Sequence, residues 1–415
     1  MAKKKTSQPR VAYFCMEYGL ENSFKAYAGG LGILAGDYMK GSKDHEFPIV
    51  GIGIKWKQGY TDQLIDKNGQ PYDTYHNYNY EDVLEDTGVT VNVTIRKRDV
   101  ACKVWKLTAF GNADLYLLDT DLPENEDAWI TGQLYGWFGE ERIAQEMVLG
   151  VGGVRALRLL GIPVDVYHFN EGHALFAGFE LMREKIEQGM TYDEALEASK
   201  NEIVFTTHTP VIQGNESHPI DRLMYMGADL GIMSRKQMKE LGGGDPFNMT
   251  VGALHLSKKS NAVAQLHGET ANKMWAHIKN RSEIVAITNA IHMPTWVDSA
   301  MVEAAEKDGD LWKAHMKNKQ ALVDFVKTRT GQQLNVDNLI IGFARRSVPY
   351  KRSDLIFSKP EVIEPYLKEG KIQLVFSGRA HPLDDTGKGI AANLVSMAKK
   401  YPNAVVFLEN YDMEI

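Results

Sequence analysis

The amino-acid sequence predicts an α/β protein with parallel sheets in two domains, and three observations predict it. Short apolar runs recur along the chain, each followed by a segment of helical spacing. Several of these runs empty into polar, titratable loops: Val164–Phe169 into Asn170-Glu171-Gly172-His173, Ile203–Thr207 into His208-Thr209-Pro210, and Glu283–Ile287 into Thr288–His292. The last segment reads strand, helix, strand, helix, strand over 339–343, 354–368, 372–376, 387–400 and 404–408, one half of a doubly wound sheet. Open sheets of this kind bind ligands beyond the carboxyl ends of their strands, so the polar strand ends are the candidate site.

At 415 residues the chain has room for two or more domains with sizeable cores. With 44% hydrophobic and 24% charged residues it has a globular, not a disordered, composition. The net charge of −7 disfavours nucleic acid or an anionic membrane as partner, so any anion site has to be local. Cys15 and Cys102 are too few for a disulfide framework and suit a reducing cytosol. The basic start, Met1 to Arg10, is followed by no apolar signal-peptide core, and no run of about 18 apolar residues offers a membrane span. A cytoplasmic protein is expected.

In chain order, Val11–Phe14 reads as the first strand. Gly29 and Gly30 precede a helix over Ile33–Lys43, where backbone N–H groups and the helix dipole suit an anion, although a tight structural turn explains them equally well. Phe47–Ile54 is the second strand. Trp56, Tyr60, Tyr72 and Tyr75 are read first as packing residues, with sugar stacking as the alternative. Val89–Ile95 and Lys103–Leu107 alternate like an antiparallel pair, and Asp114–Leu118 is a further strand. Glu140–Leu160 is a long helix with Ile143, Met147, Val148, Val151 and Leu157 on its apolar face. Helices are expected over Ala174–Gln188, Tyr192–Ser199, Met224–Lys239, Phe247–Ser257, Ala262–Lys279 and Lys313–Thr330. His168 and His173 have no metal-site spacing, and no metal is expected. The apolar run Leu339–Phe343 reads as a buried strand, and its loop holds four cations, Arg345, Arg346, Lys351 and Arg352, suited to phosphate if they are not merely solvated. The domain boundary is placed near Asp337, giving 1–337 and 338–415; the second domain would stop at half a sheet, as in a C-terminally truncated chain.

Seven segments in order, at 27–37, 168–176, 205–210, 265–269, 288–296, 342–352 and 377–382, resemble those of the α-glucan (glycogen, starch, maltodextrin) phosphorylases, especially the short prokaryotic type. That resemblance implies two Rossmann-like domains of GT-B type facing a cleft. It also implies reversible, retaining phosphorolysis of α-1,4-glucan ends to glucose 1-phosphate. The implied cofactor is pyridoxal 5'-phosphate, acting through its own phosphate. Carried over by residue, Gly29 and Gly30 would face the phosphates, and His208 would bond the glucosyl 6-hydroxyl while its backbone carbonyl steadies the cationic transition state. Asn170, Glu171 and His173 would line the same cleft, and Arg346 with Lys351 would hold the substrate and cofactor phosphates. The family's Schiff-base lysine would lie beyond residue 415, so residues 1–415 by themselves are expected to be inactive. The family is often dimeric, which makes a homodimer an expectation. Val211 to His218 departs from the family pattern and alters the surroundings of Asn215 and Glu216; Ser347-Val348-Pro349 between the cations is also unusual. Two alternatives stand beside this reading: a nucleotide-sugar glucan synthase of the same architecture, and a glucan-binding protein that has lost catalysis.

Overall fold

A computed structural model describes residues 8–209, 211 and 214–415; residues 1–7 of the basic start, Pro210, and residues 212 and 213 of the departing stretch lie outside the described residues. The backbone forms two compact units. One holds the chain up to Tyr60 together with Asn77–His292, and the other holds Thr61–His76 with Met293–Ile415. Compactness therefore divides the chain at His292 and moves a short hairpin into the second unit, whereas the sequence suggested one break near Asp337.

The strands, in chain order, are β1 Val11–Phe14, β2 Ile49–Ile54, β3 Asp62–Ile65, β4 Pro71–Thr74, β5 Leu84–Ile95 and β6 Arg98–Leu107. They continue as β7 Leu115–Asp119, β8 Val166–Asn170, β9 Ile203–Thr206, β10 Ser217–His218 and β11 Phe247–Asn248. The last are β12 Lys259–Ala262, β13 Ile284–Ala286, β14 Leu339–Ala344, β15 Ile372–Ser377 and β16 Val405–Leu408. The first unit is built on one nine-stranded sheet in the order β13-β12-β9-β8-β1-β2-β7-β6-β5. From β13 to β7 its neighbours run parallel, and β6 and β5 add an antiparallel edge. Parallel strands covered on both faces read as continuous apolar runs, and here Phe14, Phe169 and Phe205 are fully buried. Helix Gly30–Asp44 lies close against the chain after β1, because Gly36 has no side chain: a Cβ there would meet the Gly19 carbonyl oxygen at 1.9 Å. Trp56 and Tyr60 are buried packing residues, Trp56 donating its indole N–H to the Met16 carbonyl at 2.9 Å.

Several expected helices change in detail, each for a local reason. The long helix from Glu140 is continuous but carries a π segment at Val148–Gly152, where Gly150 comes so near the next helix that a Cβ would meet the Ala177 nitrogen at 2.4 Å. Met224–Lys239 is two helices, Ile220–Met226 and Arg235–Leu241, since Gly227 turns left-handed at φ 82° and caps the first. Ala262 ends strand β12, and the helix there is only Gln265–Met274. Ser260 of this strand is buried and its hydroxyl is bonded to those of Ser257 and Ser282, so the strand is polar where a buried one is expected to be apolar.

In the second unit β14, β15 and β16 form a parallel three-stranded sheet. Helix Leu311–Thr330 packs Val323 and Val326 with Val375, Val406 and Leu408, while Pro360–Lys368 and Asp385–Lys400 bury Ile363, Leu367 and Leu394 with Leu374, Phe376 and Val405. Pro360 opens its helix at the first turn, so the expected helix 354–368 starts late and is preceded by a 3₁₀ turn at Leu355–Phe357. The β3–β4 hairpin belongs here because its polar groups are satisfied here. Ile65 N–H donates to Glu409 at 2.8 Å, Asn410 N–H to the Gln63 carbonyl at 3.0 Å, and the Gln63 amide exchanges bonds with the Ala380 backbone at 2.9 and 3.3 Å. β14, read from sequence as buried, is an edge strand with Leu339 57% and Ile341 40% exposed.

Candidate active site

Strand order locates the site. β1 lies between β2 and β8; the chain builds outward from β1 to β2 and β7, then returns to add β8, β9, β12 and β13 on the other side. The reversal leaves a crevice at the carboxyl ends of β1 and β8, the place where open α/β sheets bind ligands. Cys15, Met16 and Glu17 leave β1 there, and Glu171 leaves β8. The Asn170 amide spans the gap by donating to Cys15 Sγ at 3.2 Å.

Asn170 also fixes His208. Its Oδ1 lies 2.5 Å from His208 Nε2, and a carbonyl oxygen can only accept, so Nε2 carries the proton. Burial, with the nearby His267, His168 and His173, pushes His208 down to about 3, so the ring is neutral near pH 7. Nδ1 is then a bare lone pair, an acceptor for a hydroxyl. Glu171 holds the backbone at the same place: its carboxylate accepts the His208 N–H at 2.9 Å and the Thr209 hydroxyl at 3.5 Å. Glu171 itself sits at φ 72° and ψ 171°, a region that suits glycine and costs about 1–3 kcal/mol for other residues. A bond from its N–H to the Thr206 carbonyl at 2.9 Å helps hold it there. His168 takes a different part: it bonds the Thr206 hydroxyl at 2.7 Å and stacks edge-on to Tyr13, and burial pushes it down to about 4.

Below these groups runs a buried charge network. Glu17 accepts the N–H groups of Ala28 and Gly29 at 2.6 and 3.0 Å and the Tyr135 hydroxyl at 3.0 Å. The Arg142 guanidinium lies 4.6 Å over the Tyr135 ring and donates to both Glu216 oxygens at 3.0 and 3.1 Å. His173 Nε2 is 3.4 Å from Glu216, and His218 Nε2 is 3.1 Å from Glu146. Burial alone would raise the Glu216 carboxyl, but Arg142 and His173 hold it at about 2. Burial, then the Glu216 charge, raises Glu146, and burial is outweighed at His218 by Glu146 and at His173 by Glu216. Glu146, Glu216 and His218 have the composition of a metal site, with ligand atoms within 4.8 Å of one another. Arg142 already occupies Glu216, however, so a dication would be placed against a guanidinium.

The glycine loop therefore differs from the expectation in one respect. The Gly29 N–H, expected to face a phosphate, is taken by Glu17, while Gly32 and Ile33 bond the Gly29 carbonyl. Gly30, which opens the helix, has open space where a side chain would stand. Arg346 and Lys351 belong to the second unit, on the loop leaving β14. Among the described residues no ion pair engages Arg345, Arg346, Lys351 or Arg352. Arg345 N–H donates to the Ser377 carbonyl and Ser347 N–H to the Arg379 carbonyl, which ties this loop to the end of β15. Gly378 permits that contact, since a Cβ would meet the Arg345 carbonyl oxygen at 2.2 Å.

No family model matches the chain. Among curated proteins it is 32% identical to a glycogen phosphorylase of Aquifex aeolicus over 471 residues, covering 98% of this chain and 68% of that protein. The chain belongs to the glycogen phosphorylase family. It is also 38% identical over 410 residues to an uncharacterized protein of Methanocaldococcus jannaschii, covering 97% and 76% of the two chains. With the maltodextrin phosphorylase of Thermococcus litoralis it shares 34% identity over 458 residues, and it spans 97% of itself but about half, 55%, of that relative. The phosphorylase-family chain thus brings Asn170, Glu171 and His208 into direct contact, while His173 turns to Glu216 instead. Sequence reasoning passed over Glu17, Tyr135, Arg142, Glu146 and His218. A signal was present for two of them: Arg142 and Glu146 stand four apart, hence on one face of the helix that begins at Glu140.

Proposed function

We propose that the chain carries the glucan-binding and phosphate-holding groups of an α-glucan phosphorylase, which transfers the terminal α-1,4-linked glucosyl unit to inorganic phosphate and releases glucose 1-phosphate. The observation that carries the reading is the neutral His208, its Nδ1 bare at the crevice, in a family member that also holds an unpaired four-cation loop. A glucosyl end is a neutral polyol, and a neutral imidazole acceptor orients one of its hydroxyls without placing a charge beside the anomeric carbon. Glu171 fixes the His208 backbone, so the carbonyl dipole of His208 is held ready for an oxocarbenium-like sugar. Arg346 and Lys351 offset the dianion that attacks it, one in bidentate fashion and one as a point charge.

Pyridoxal phosphate is the cofactor this reading takes, because two phosphates side by side need several cations, and the loop after β14 offers Arg346 and Lys351 without a carboxylate on either among the described residues. When bound, it supplies a phosphate that passes a proton to and from the substrate phosphate. The reading requires the two units to act on one ligand across a shared cleft, as GT-B enzymes do. It also takes the protein as cytoplasmic, in keeping with two free thiols at Cys15 and Cys102, and as a homodimer. The test is phosphorolysis: the whole protein is expected to release glucose 1-phosphate from maltoheptaose and inorganic phosphate. No release in the presence of pyridoxal phosphate would overturn the reading.

A further inference from the structure

We propose that Trp137 and Phe138, with Tyr225 beside them, form a stacking platform for the glucosyl units that trail behind the one bound at His208. Trp137 is 58% exposed and Phe138 63% exposed, and they are adjacent in the chain. Single exposed apolar residues are ordinary on protein surfaces, but a neighbouring pair of large rings at the edge of a polar site is not. The loop that carries them is tied to the site at its root. Tyr135 donates to Glu17, and the Arg142 guanidinium lies 4.6 Å from the Tyr135 ring and 5.7 Å from the Phe138 ring. Arg142 in turn bonds Glu216, the partner of His173. The platform is therefore connected, contact by contact, to the strand-end groups of the crevice.

On its other side the loop meets helix Ile220–Met226. Gly139 turns at φ 78°, and a Cβ there would stand 3.0 Å from Arg222 Nη1. Arg222 and Tyr225 are three apart on that helix, hence on one face, and Tyr225 is 61% exposed. The loop with its two rings thus stands next to a helix that carries a guanidinium and a third exposed ring. Pyranose rings have an apolar C–H face and a rim of hydroxyls; aromatic faces take the first and arginine donors the second. A flexible glucan of many identical units suits a surface of this kind, which binds rings without demanding one register.

The inference rests on the phosphorylase reading but is tested apart from it, by titrating maltoheptaose into the 415-residue chain with calorimetry and tryptophan fluorescence. Wild-type chain is expected to bind, with quenching that Trp137→Phe removes. The W137A/F138A pair is expected to weaken binding about tenfold, roughly what two ring contacts contribute, with an unchanged circular dichroism spectrum. Trp137→Tyr should recover most of the affinity. Equal affinity in wild type and W137A/F138A overturns the platform and leaves the phosphorylase reading standing, as does a ring patch that proves to hold two copies of the chain together. Failure of the wild-type chain to bind maltoheptaose also overturns it, and phosphorolysis by the whole protein then decides the broader reading separately.

Discussion

The two units treat their charged groups in opposite ways. In the first, Arg142, Glu146, Glu216 and His218 are buried or nearly so and are paired with one another. In the second, the loop after β14 presents Arg345, Arg346 and Arg352 to solvent, with Lys351 half-buried, and no carboxylate pairs with them among the described residues. A buried network whose charges balance one another needs no ligand to neutralise it, so it shapes and holds; the His208 imidazole at the neighbouring strand end is neutral. Exposed, unpaired cations are incomplete without an anion. On the phosphorylase reading proposed above, the first unit would take the neutral sugar and the cations of the second the dianionic phosphate.

The contrast breaks most readily at the cations. Arg346→Ala or Lys351→Ala is expected to lower kcat/KM for phosphate by about 10²–10³ in the whole protein while leaving its stability nearly unchanged, since among the described residues no carboxylate pairs with either side chain. An equal fall in affinity for glucan, or a matching loss of stability, would put the loop in the structural class instead. His208→Ala should lower kcat by about 10², with Asn170→Ala losing about tenfold because the ring is then free to change tautomer. Next comes the buried network: Glu17→Ala strips the Ala28 and Gly29 N–H groups and the Tyr135 hydroxyl of their acceptor, and about 2–3 kcal/mol of unfolding free energy should go with it, read by urea denaturation. Gly378→Ala should cost about 2 kcal/mol and raise KM for phosphate, because the added methyl forces the cation loop away from β15.

The smallest effect is the dependence of stability on pH. His173 and His218 titrate higher in the folded chain than the unfolded value of about 6.5, so their contribution is full below that value and is lost as pH rises through the folded ones. His208, at about 3, and His168, at about 4, are shifted the other way, and their contribution, present above the unfolded value, is lost as pH falls. Stability should therefore peak near pH ~6.5. His218→Gln should flatten the decline on the alkaline side only; an unchanged alkaline slope in urea midpoints would show that the Glu146 pair does not hold its proton.

Much of this was legible in advance, because parallel sheets announce themselves. Covered strands such as Ile203–Thr206 are apolar almost throughout, so their ends are sharp and the polar residues just past them stand out. What failed to announce itself was polar and inward-facing. β12 is Lys-Ser-Asn-Ala, and Glu17, Arg142 and Glu146 resemble surface residues until their partners are known. Likewise an apolar run says that a strand wants cover, not that it has it, which is why Leu339–Phe343 reads as a buried strand and lies in an exposed edge.

By itself the sequence determined the periodicities, hence the class, the strand ends, and the identity of the side chains delivered there, since these depend on residues near one another in the chain. Tertiary structure alone decided which strand end neighbours which, that the hairpin Asp62–Thr74 joins the second unit, that Glu17 and not a ligand takes the Gly29 N–H, and that Asn170 selects the tautomer of His208. Those are pairings between groups far apart in sequence. Each is settled by burial, where an unpaired polar group is costly and its partner is whatever residue the packing brings within reach.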